Sequence, residues 1–368
     1  MIIKSFEAKN FRNIEHAKIE FTEGVNLLIG KNAQGKTNIA EGIYLFSRGK
    51  SFRASDDKEL IRFGENGFYL SLIYESALGE ESLEYSILDK LKLRKKNGYR
   101  VKKITEMMDG FKCVLFVPDD LTMIKGGPEE RRAFLNVAAS QCYGDYIRYY
   151  QGYKTALENR NCILKLIRSG FSYDSDELRA WSDSLAEYAA HIYEIRLKYV
   201  KKIEVHARKI ISEISGEKEK LTLKYKGDID EKIVGIPDII EEYKRVFERD
   251  LHSEMAAGYS LYGPHRDDID IRINDYSSRS YASQGQQRSL VLALKLAEGE
   301  VIKEMFGEYP VFIFDDVMSE LDGDRRSYIV NKMGKRQIII TSCEKENYAG
   351  FSDNIIEVEK GQYVSSHR

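Results

Sequence analysis

Cysteine, proline and tryptophan are scarce in this chain, which has four Cys, five Pro and one Trp among 368 residues. The cysteines show neither CxxC nor Cys/His ligand spacing; they are Cys113, Cys142, Cys162 and Cys343. Their pattern excludes the usual structural zinc sites and a disulfide framework, and it favours a reducing compartment. Because glycine and proline are not enriched and no low-complexity linker is present, we expect a globular chain.

Long apolar runs and a surplus of one charge are also missing. No stretch approaches the roughly 18 apolar residues of a membrane span, and the first residues contain no apolar signal core. We therefore expect a cytoplasmic protein. The 57 Lys and Arg residues nearly balance 59 Asp and Glu residues, for a formal charge of -2. Any surface that binds nucleic acid must accordingly be a local patch.

The chain does contain an α/β pattern that a helical segment interrupts. Strands are predicted at 2–6, 17–21, 25–29, 69–103, 311–314 and 337–341. Apolar residues at three-and-four spacing between positions 178 and 210 predict a helix of roughly ten turns. We expect three consecutive regions: an α/β part over 1–118, a mostly helical second lobe over 119–257, and a return to α/β over 258–368.

A glycine-rich loop joins the apolar strand at 25–29 to a predicted helix. It matches G-x-x-x-x-G-K-[ST] at every fixed position, in the residues Gly30, Lys31, Asn32, Ala33, Gln34, Gly35, Lys36 and Thr37. Such a loop directs backbone N–H groups and the helix dipole at phosphate oxygens, with the lysine on the β- and γ-phosphates and the hydroxyl on Mg²⁺. The loop predicts binding of ATP or GTP with Mg²⁺. A chance match in a glycine turn is disfavoured by the flanking strand and helix.

Two carboxylates, Asp315 and Asp316, end the apolar strand at 311–314. The carboxyl ends of buried strands meet at one sheet edge, where the phosphate loop also lies. We expect Asp315 to hold Mg²⁺ and Asp316 to act as general base towards the attacking water. The structural alternative, a pair that caps the next helix, loses weight beside the phosphate loop.

A second glycine motif precedes a predicted amphipathic helix at 289–300. It comprises Ser283, Gln284, Gly285 and Gln286. Its exposed N–H groups could form a second anion site, whereas the structural alternative is an ordinary helix N-cap. The order of these motifs resembles ABC-type ATPases, in which this signature loop of one subunit closes on the γ-phosphate bound by the other. Ser319 and Asp322 resemble the D-loop of that class.

Six blocks in the same order resemble the RecF family of bacterial recombination mediators. They are 10–13, 30–53, 118–136, 263–268, 281–297 and 314–322. The resemblance implies a two-lobed ABC-type P-loop head with a mixed β-sheet and an inserted helical lobe. It also implies an ATP-dependent dimer, binding to double-stranded DNA beside single-strand gaps, slow DNA-stimulated ATP hydrolysis, and partnership with RecR and RecO in loading RecA.

Several positions within these blocks have less certain roles. Arg12 and Asn13 lie where head-domain ATPases place nucleotide contacts, although an ordinary turn explains them equally well. No role is predicted for four further residues of the resemblance, Arg131, Arg132, His265 and Arg266. The strand at 337–341 is followed by Ser342 and Cys343 where transporter-type ATPases have a switch histidine. The resemblance therefore does not identify the γ-phosphate sensor.

A basic hairpin is the candidate DNA contact, with Asn97-Gly98 as its predicted type I′ turn. Its candidate side chains are Lys92, Arg94, Lys95, Lys96 and Arg100. Contacts to phosphates position a protein without reading bases, but lysines also protect exposed edge strands from pairing. Two further functions stay open: an ATPase subunit of a transporter or another system, and a nucleotide-gated structural clamp.

Overall fold

The computed structural model describes residues 1–334, 336–343, 352–359 and 362–367. The described strands are β1 Ile2–Phe11, β2 Ile14–Glu20, β3 Val25–Ile29, β4 Gly67–Ser76, β5 Gly79–Leu88, β6 Leu91–Lys96, β7 Tyr99–Arg100, β8 Cys113–Phe116, β9 Leu221–Lys226, β10 Asp268–Ile273, β11 Tyr276–Ser277, β12 Val311–Asp315, β13 Ile338–Ser342, β14 Asn354–Glu359 and β15 Gln362–His367. The described helices are α1 Lys36–Arg48, α2 Ile104–Met108, α3 Thr122–Lys125, α4 Pro128–Cys142, α5 Tyr146–Arg168, α6 Ser175–Ile214, α7 Ile236–Arg249, α8 Leu251–Ala257, α9 Ser278–Tyr281, α10 Gln284–Phe306 and α11 Gly323–Met333.

Two units divide the chain. The first contains Met1–Leu121, Ile210–Glu217 and Arg288–Arg368, and the second contains Thr122–Lys209 and Lys218–Gln287. The second unit extends beyond the boundary predicted after residue 257, because β10 and β11 form a sheet with β9.

The first unit contains two sheets of different kinds. One is antiparallel, in the order β2-β1-β4-β5-β6-β7. The other has the order β15-β14-β3-β13-β12-β8, and its strands from β14 to β8 are parallel. The strands β3, β12 and β13 are buried along their whole length, as their apolar runs predict. Their carboxyl ends therefore lie side by side.

Helix α1 packs against strands of both sheets. Its apolar side chains, among them Ile39, Ile43 and Phe46, are fully buried and belong to the same core as residues of both sheets. Gly42 lies where the Phe6 ring approaches closely, since a Cβ at this position would lie 2.5 Å from Phe6 Cζ. This packing holds the first turn of α1 at the carboxyl end of β3.

The second unit is mostly helical, with the small sheet β11-β10-β9. The predicted long helix is confirmed as α6, which has 40 residues. Its apolar stripe is buried, including Leu185, Ile192, Tyr199 and Ile203. The stripe is therefore a packing surface of the fold.

The prediction that the helix at 289–300 is amphipathic was wrong. Every residue from 289 to 299 of α10 is buried, because apolar residues occur on all its faces. One buried cation within it, Lys295, pairs with Asp120 at 3.1 Å.

No helix in the described part of the chain is long and apolar enough to span a membrane.

Candidate nucleotide-binding site

The glycine-rich loop leaves the buried strand β3 and enters α1. Gly30 N–H donates to the Ser342 carbonyl at 3.3 Å, which ties the start of the loop to β13. Gly35 caps α1 in a left-handed conformation, with φ +114°. A Cβ at this position would lie 2.7 Å from Tyr363 Oη. The loop therefore needs glycine here for conformation and for space.

Lys36 is buried and its ammonium group stays inside the loop. Nζ donates to the carbonyls of Gly30 at 2.6 Å and Lys31 at 2.9 Å, and it lies 3.5 Å from Cys343 Sγ. The Cys343 thiol in turn donates to Asn32 Oδ1 at 2.8 Å. The ammonium group is thus held within the cradle where the motif requires a phosphate-binding cation.

Thr37 and Asp315 meet at the end of β12. The Thr37 hydroxyl donates to Asp315 Oδ1 at 3.0 Å, and Thr341 Oγ1 donates to the same oxygen at 2.7 Å. Burial raises the pKa of Asp315, against the lowering effect of these two hydroxyls. A cation beside this carboxylate would offset the cost of burying its charge. Mg²⁺ usually takes only one or two protein ligands together with phosphate and water oxygens, so the pair fits this ion.

Asp316 adopts the left-handed backbone conformation, with φ 56°. Its N–H donates to Thr341 Oγ1 at 3.1 Å. Non-glycine residues with positive φ are uncommon, and strained backbone of this kind concentrates at functional sites. The Thr341 hydroxyl therefore donates to the Asp315 carboxylate and accepts from the Asp316 backbone N–H.

A cavity of about 230 Å³ lies over the loop. Its lining consists of Asn13, Asn32, Ala33, Gly35, Lys36, Thr37, Asn38, Arg53, Asp316 and Thr341. The first unit thus brings together the loop, Asp316 and Asn13 as the sequence predicts. Two other residues predicted to bind the nucleotide lie on the same loop but outside this lining. They are the exposed Lys31 and the half-buried Gln34.

Arg12 pairs with Glu41 of α1, beside the cavity. Its Nε and NH2 atoms donate to the two oxygens of the buried Glu41 carboxylate, at 2.9 and 2.6 Å. NH1 donates to the Glu59 carbonyl at 2.8 Å. A nucleotide contact by Arg12 stays a prediction, because its guanidinium group already has these partners. Asn13 contacts the loop itself, donating to the Ala33 carbonyl at 2.9 Å.

Arg53 is a cavity residue for which the sequence predicted no role, although it ends the block at 30–53 that resembles the family. Its NH1 atom donates to Asn38 Oδ1 at 3.1 Å and lies 3.9 Å from Glu41 Oε2. Its positive charge also acts on Asp315, since it lowers that carboxyl's pKa against the larger effect of burial. Arg53 thus adds a second cation to the lining of the phosphate cavity.

The predicted signature loop opens α10. The Gln286 N–H donates to Ser283 Oγ at 3.3 Å, and the Ser283 N–H donates to Gln286 Oε1 at 2.8 Å. This reciprocal pair is a capping box. Gln286 also donates to Glu219 at 2.8 Å, and Ser283 and Gln284 are exposed. The structural alternative, an N-cap at Ser283, is therefore present in the single chain, and the signature role stays a prediction.

The predicted D-loop follows Asp316 in the first unit. Ser319 Oγ donates to the Asp316 carbonyl at 3.2 Å. Asp322 caps α11 and accepts from the Arg325 N–H at 2.9 Å. Arg325 also donates to Ser289 Oγ at 2.8 Å. These contacts join the turn after the carboxylate pair to the first turns of α10 and α11.

The basic hairpin forms as predicted, with Asn97 and Gly98 both at positive φ. Most of its candidate DNA contacts already have partners in the same sheet. Lys95 pairs with Glu84 at 3.2 Å and Lys96 with Glu81 at 2.9 Å. Lys92 pairs with Asp57, and the Arg94 guanidinium lies 5.1 Å from the Tyr85 ring centre. These pairs favour the edge-protection alternative for four of the five side chains.

Four residues of unpredicted role have structural partners in the second unit. Arg131 binds Asp268 through two N–H groups, at 2.6 and 3.0 Å, and Arg132 donates to the Asp267 carbonyl at 2.9 Å. His265 Nδ1 lies 2.5 Å from Tyr153 Oη. The Arg266 guanidinium lies 5.3 Å from the Tyr259 ring centre. Packing and hydrogen bonding within this unit account for all four.

Comparison with known proteins places this chain in a family of ATPase-type proteins of DNA replication and repair. The family model for the RecF/RecN/SMC N terminal domain matches residues 2–366. The DNA replication and repair protein RecF of Lactobacillus johnsonii is 38% identical over 100% of this chain and 98% of its own length. RecF of Clostridioides difficile is 37% identical over 99% of this chain and 98% of its own length.

Solved structures of the same family and fold are also similar to this chain. A structure of the recombination mediator protein RecF-ATPrS in the RecFOR pathway has a TM-score of 0.92 at 37% identity, covering 99% of this chain and 97% of that chain. The Smc head domain of Pyrococcus furiosus shares the fold, with a TM-score of 0.58 at 17% identity over 100% of this chain and 96% of that chain. The predicted fold class, an α/β ABC-type ATPase head, is confirmed.

Proposed function

Because the chain belongs to the RecF family of DNA replication and repair ATPases, we propose that it binds ATP and Mg²⁺ at residues 30–37 and dimerises on DNA during recombinational repair. One observation carries the proposal: residues of the phosphate loop and the strained Asp316 line one cavity, and Thr37 of that lining donates to Asp315. Solved relatives with 37% identity are described as RecF-ATP and RecF-ATPrS, which supports the choice of nucleotide.

Five side chains in and beside the cavity, and the loop contact of Asn13, have defined tasks in this proposal. Lys36 exchanges its bonds to loop carbonyls for bonds to the β- and γ-phosphate oxygens, while Arg53 adds positive charge at the cavity wall. Thr37 and Asp315 hold Mg²⁺, which neutralises phosphate charge when bound. Asp316 orients the attacking water and accepts its proton. Asn13 supports the loop through its bond to the Ala33 carbonyl.

The dimer rests on the signature loop, with Ser283, Gln284, Gly285 and Gln286 of a second copy closing on the γ-phosphate. The Ser283 hydroxyl and the N–H groups that open α10 are suited to an anion. In the same closure, Ser319 and Asp322 of the D-loop lie at the interface between copies. Each ATP then joins the lysine of one copy to the serine of the other, which makes dimerisation depend on nucleotide.

Sedimentation velocity with and without ATP and Mg²⁺ tests this dimer. We expect the wild type to shift from monomer to dimer, and both Ser283→Arg and Ser283→Asp to stay monomeric while binding ATP. Asp is as good an N-cap as Ser, so the second variant keeps the helix start and changes only the charge. Ser172→Arg, in an exposed loop of the same unit, should dimerise normally. A wild type that stays monomeric with every nucleotide would overturn the proposal.

DNA is the proposed partner of the dimer, in double-stranded form beside a single-strand gap. RecR and RecO are the proposed protein partners, and loading of RecA is the proposed outcome. The support for this proposal is a relative with 37% identity that is described as part of the RecFOR pathway. No base-reading motif is visible in the sequence, so binding independent of sequence is expected. Of the five candidate side chains, Arg100 is the exposed one for which no carboxylate partner is found among the described residues, which makes it the best DNA contact of the five.

Fluorescence anisotropy on gapped duplex, intact duplex and single strand tests the DNA proposal. We expect the tightest binding to the gapped duplex and a linear loss of log affinity with log salt. Arg100→Ala should reduce the magnitude of the salt slope by about one, as for one lost phosphate contact. Lys95→Ala, which removes a side chain paired with Glu84, should change it little. Equal slopes for Arg100→Ala and the wild type would remove the hairpin from the DNA surface.

Slow, DNA-stimulated hydrolysis is the proposed enzymatic activity. Asp316→Asn should abolish turnover with and without DNA and leave ATP binding intact. A wild-type rate that equals the Asp316→Asn background in both conditions would favour the nucleotide-gated clamp instead. Turnover without any DNA binding would favour an ABC-type subunit of another system.

A further inference from the structure

Cys343 directly follows β13, and its side chain contacts the phosphate loop. Its Sγ accepts from Lys36 Nζ at 3.5 Å and donates to Asn32 Oδ1 at 2.8 Å. Both partners line the phosphate cavity. The thiol therefore joins the end of β13 to two side chains of the phosphate loop.

The direction of the thiol bond determines how the Asn32 amide presents itself. An amide side chain has an acceptor oxygen at one end and two N–H donors at the other. Because the oxygen is engaged by the thiol, the NH₂ group is left for the cavity. The reverse orientation would direct oxygen lone pairs at a phosphate. The observed thiol bond thus matches the orientation of Asn32 that attracts an anion.

We propose that Cys343 is a positioning residue that holds the Asn32 amide donors towards the γ-phosphate and thereby favours ATP over ADP. This inference rests on the proposed ATP site. The γ-phosphate is the relevant group because the same thiol contacts the Lys36 ammonium, which the site directs at the β- and γ-phosphates, and because Asp316, the proposed general base, lines the same cavity. ADP has no group at this position.

The affinities for ATP and ADP, each with Mg²⁺, measured by calorimetry, test the inference. Loss of one hydrogen bond corresponds to about a five-fold change in affinity. We expect Cys343→Ala to weaken ATP about five-fold and ADP less than two-fold. Cys343→Ser keeps a donor and an acceptor and should recover most of the lost discrimination. Cys162→Ala, at an exposed cysteine on α5, is the matched control and should behave as the wild type.

A double-mutant cycle separates positioning from general loosening of the loop. If the thiol acts through the amide, Asn32→Ala should show the same ATP-specific loss, and adding Cys343→Ala to it should change little. Equal weakening of ATP and ADP by Cys343→Ala, no weakening of either, or additive losses in the double variant would each overturn the inference. A wild type without ATP affinity would instead defeat the proposed function itself.

Discussion

Replacing Glu41 by Ala tests the buried pair that anchors the edge of the nucleotide site. The Glu41 side chain is fully buried and accepts two N–H bonds from Arg12, whose side chain is 17% exposed. It also accepts from the Ser51 hydroxyl at 2.5 Å. The variant would leave a largely buried guanidinium group without its carboxylate. Removing one partner of a buried pair costs about 3–5 kcal/mol, and the partial exposure of Arg12 places the expected loss near the lower end, at about 3 kcal/mol.

Thermal unfolding followed by circular dichroism measures this loss. A unit of this size shifts by roughly 2–4 °C per kcal/mol, so the melting temperature of the variant should fall by about 6–12 °C. ATP affinity should also fall, because Glu41 Oε2 lies 3.9 Å from Arg53 NH1. Glu41 also accepts from the Ser51 hydroxyl, which in turn accepts from the Arg53 N–H. The matched control is Glu15→Ala, which breaks the exposed Glu15–Arg62 pair at 3.0 Å and should cost much less.

The double variant Glu41→Ala with Arg12→Ala distinguishes a coupled pair from two independent losses. If the pair is the cause, each single variant leaves one charge without its partner and the double variant is more stable than the sum of the two losses predicts. A Glu41→Ala protein as stable as the Glu15→Ala control, or strictly additive losses, would show that the Arg12–Glu41 pair does not stabilise the edge of the site.

Three further predictions concern the same site. Asp315→Asn should make the nucleotide-free protein more stable, since burial raises the pKa of Asp315. The wild-type protein loses stability as pH rises from the usual Asp range through that raised pKa, because the buried carboxyl becomes charged, so the stability advantage of Asn in urea unfolding should be larger at pH 7 than at pH 4. The stabilisation of the protein by Mg²⁺ and ATP should disappear in this variant. Gly35→Ala should weaken ATP binding at least ten-fold in calorimetry, because its φ is +114° and its Cβ would lie 2.7 Å from Tyr363 Oη; normal affinity would contradict this. In mass spectrometry, N-ethylmaleimide should alkylate the exposed Cys343 and Cys162, and ATP should slow the reaction only at Cys343; equal protection of both would argue against nucleotide at this cysteine.

Local signals predicted the parts of the site that lie close together in the sequence. The loop at 30–37 follows from glycine spacing between a strand and a helix, and the Asn97-Gly98 turn from its preference for positive φ. The long helix α6 follows from a stripe of apolar residues over its length. Glycine spacing, turn preference and an apolar stripe each depend on residues close together in the chain, so the sequence alone is enough to predict these three elements.

Contacts between distant positions could not be predicted in this way. Arg12 meets Glu41 because β1 and α1 share one core, and Cys343 meets Asn32 because β13 lies beside β3. No local pattern encodes either contact. The error on α10 has a different origin: apolar residues occur on all faces of the helix between 289 and 299, so the local pattern itself favours a helix that is buried all round.

The Ser283 hydroxyl shows how a structural and a functional role can occupy one group. As an N-cap, its oxygen accepts from the Gln286 N–H, and this bond uses a lone pair while the hydroxyl hydrogen stays available to donate. An anion needs that hydrogen. The cap therefore fixes the oxygen at the start of α10 and leaves its O–H free to donate, beside the N–H groups of the first helical turn. The capping alternative and the signature interpretation are compatible, and only a change of charge at this position, such as Ser283→Asp, separates them.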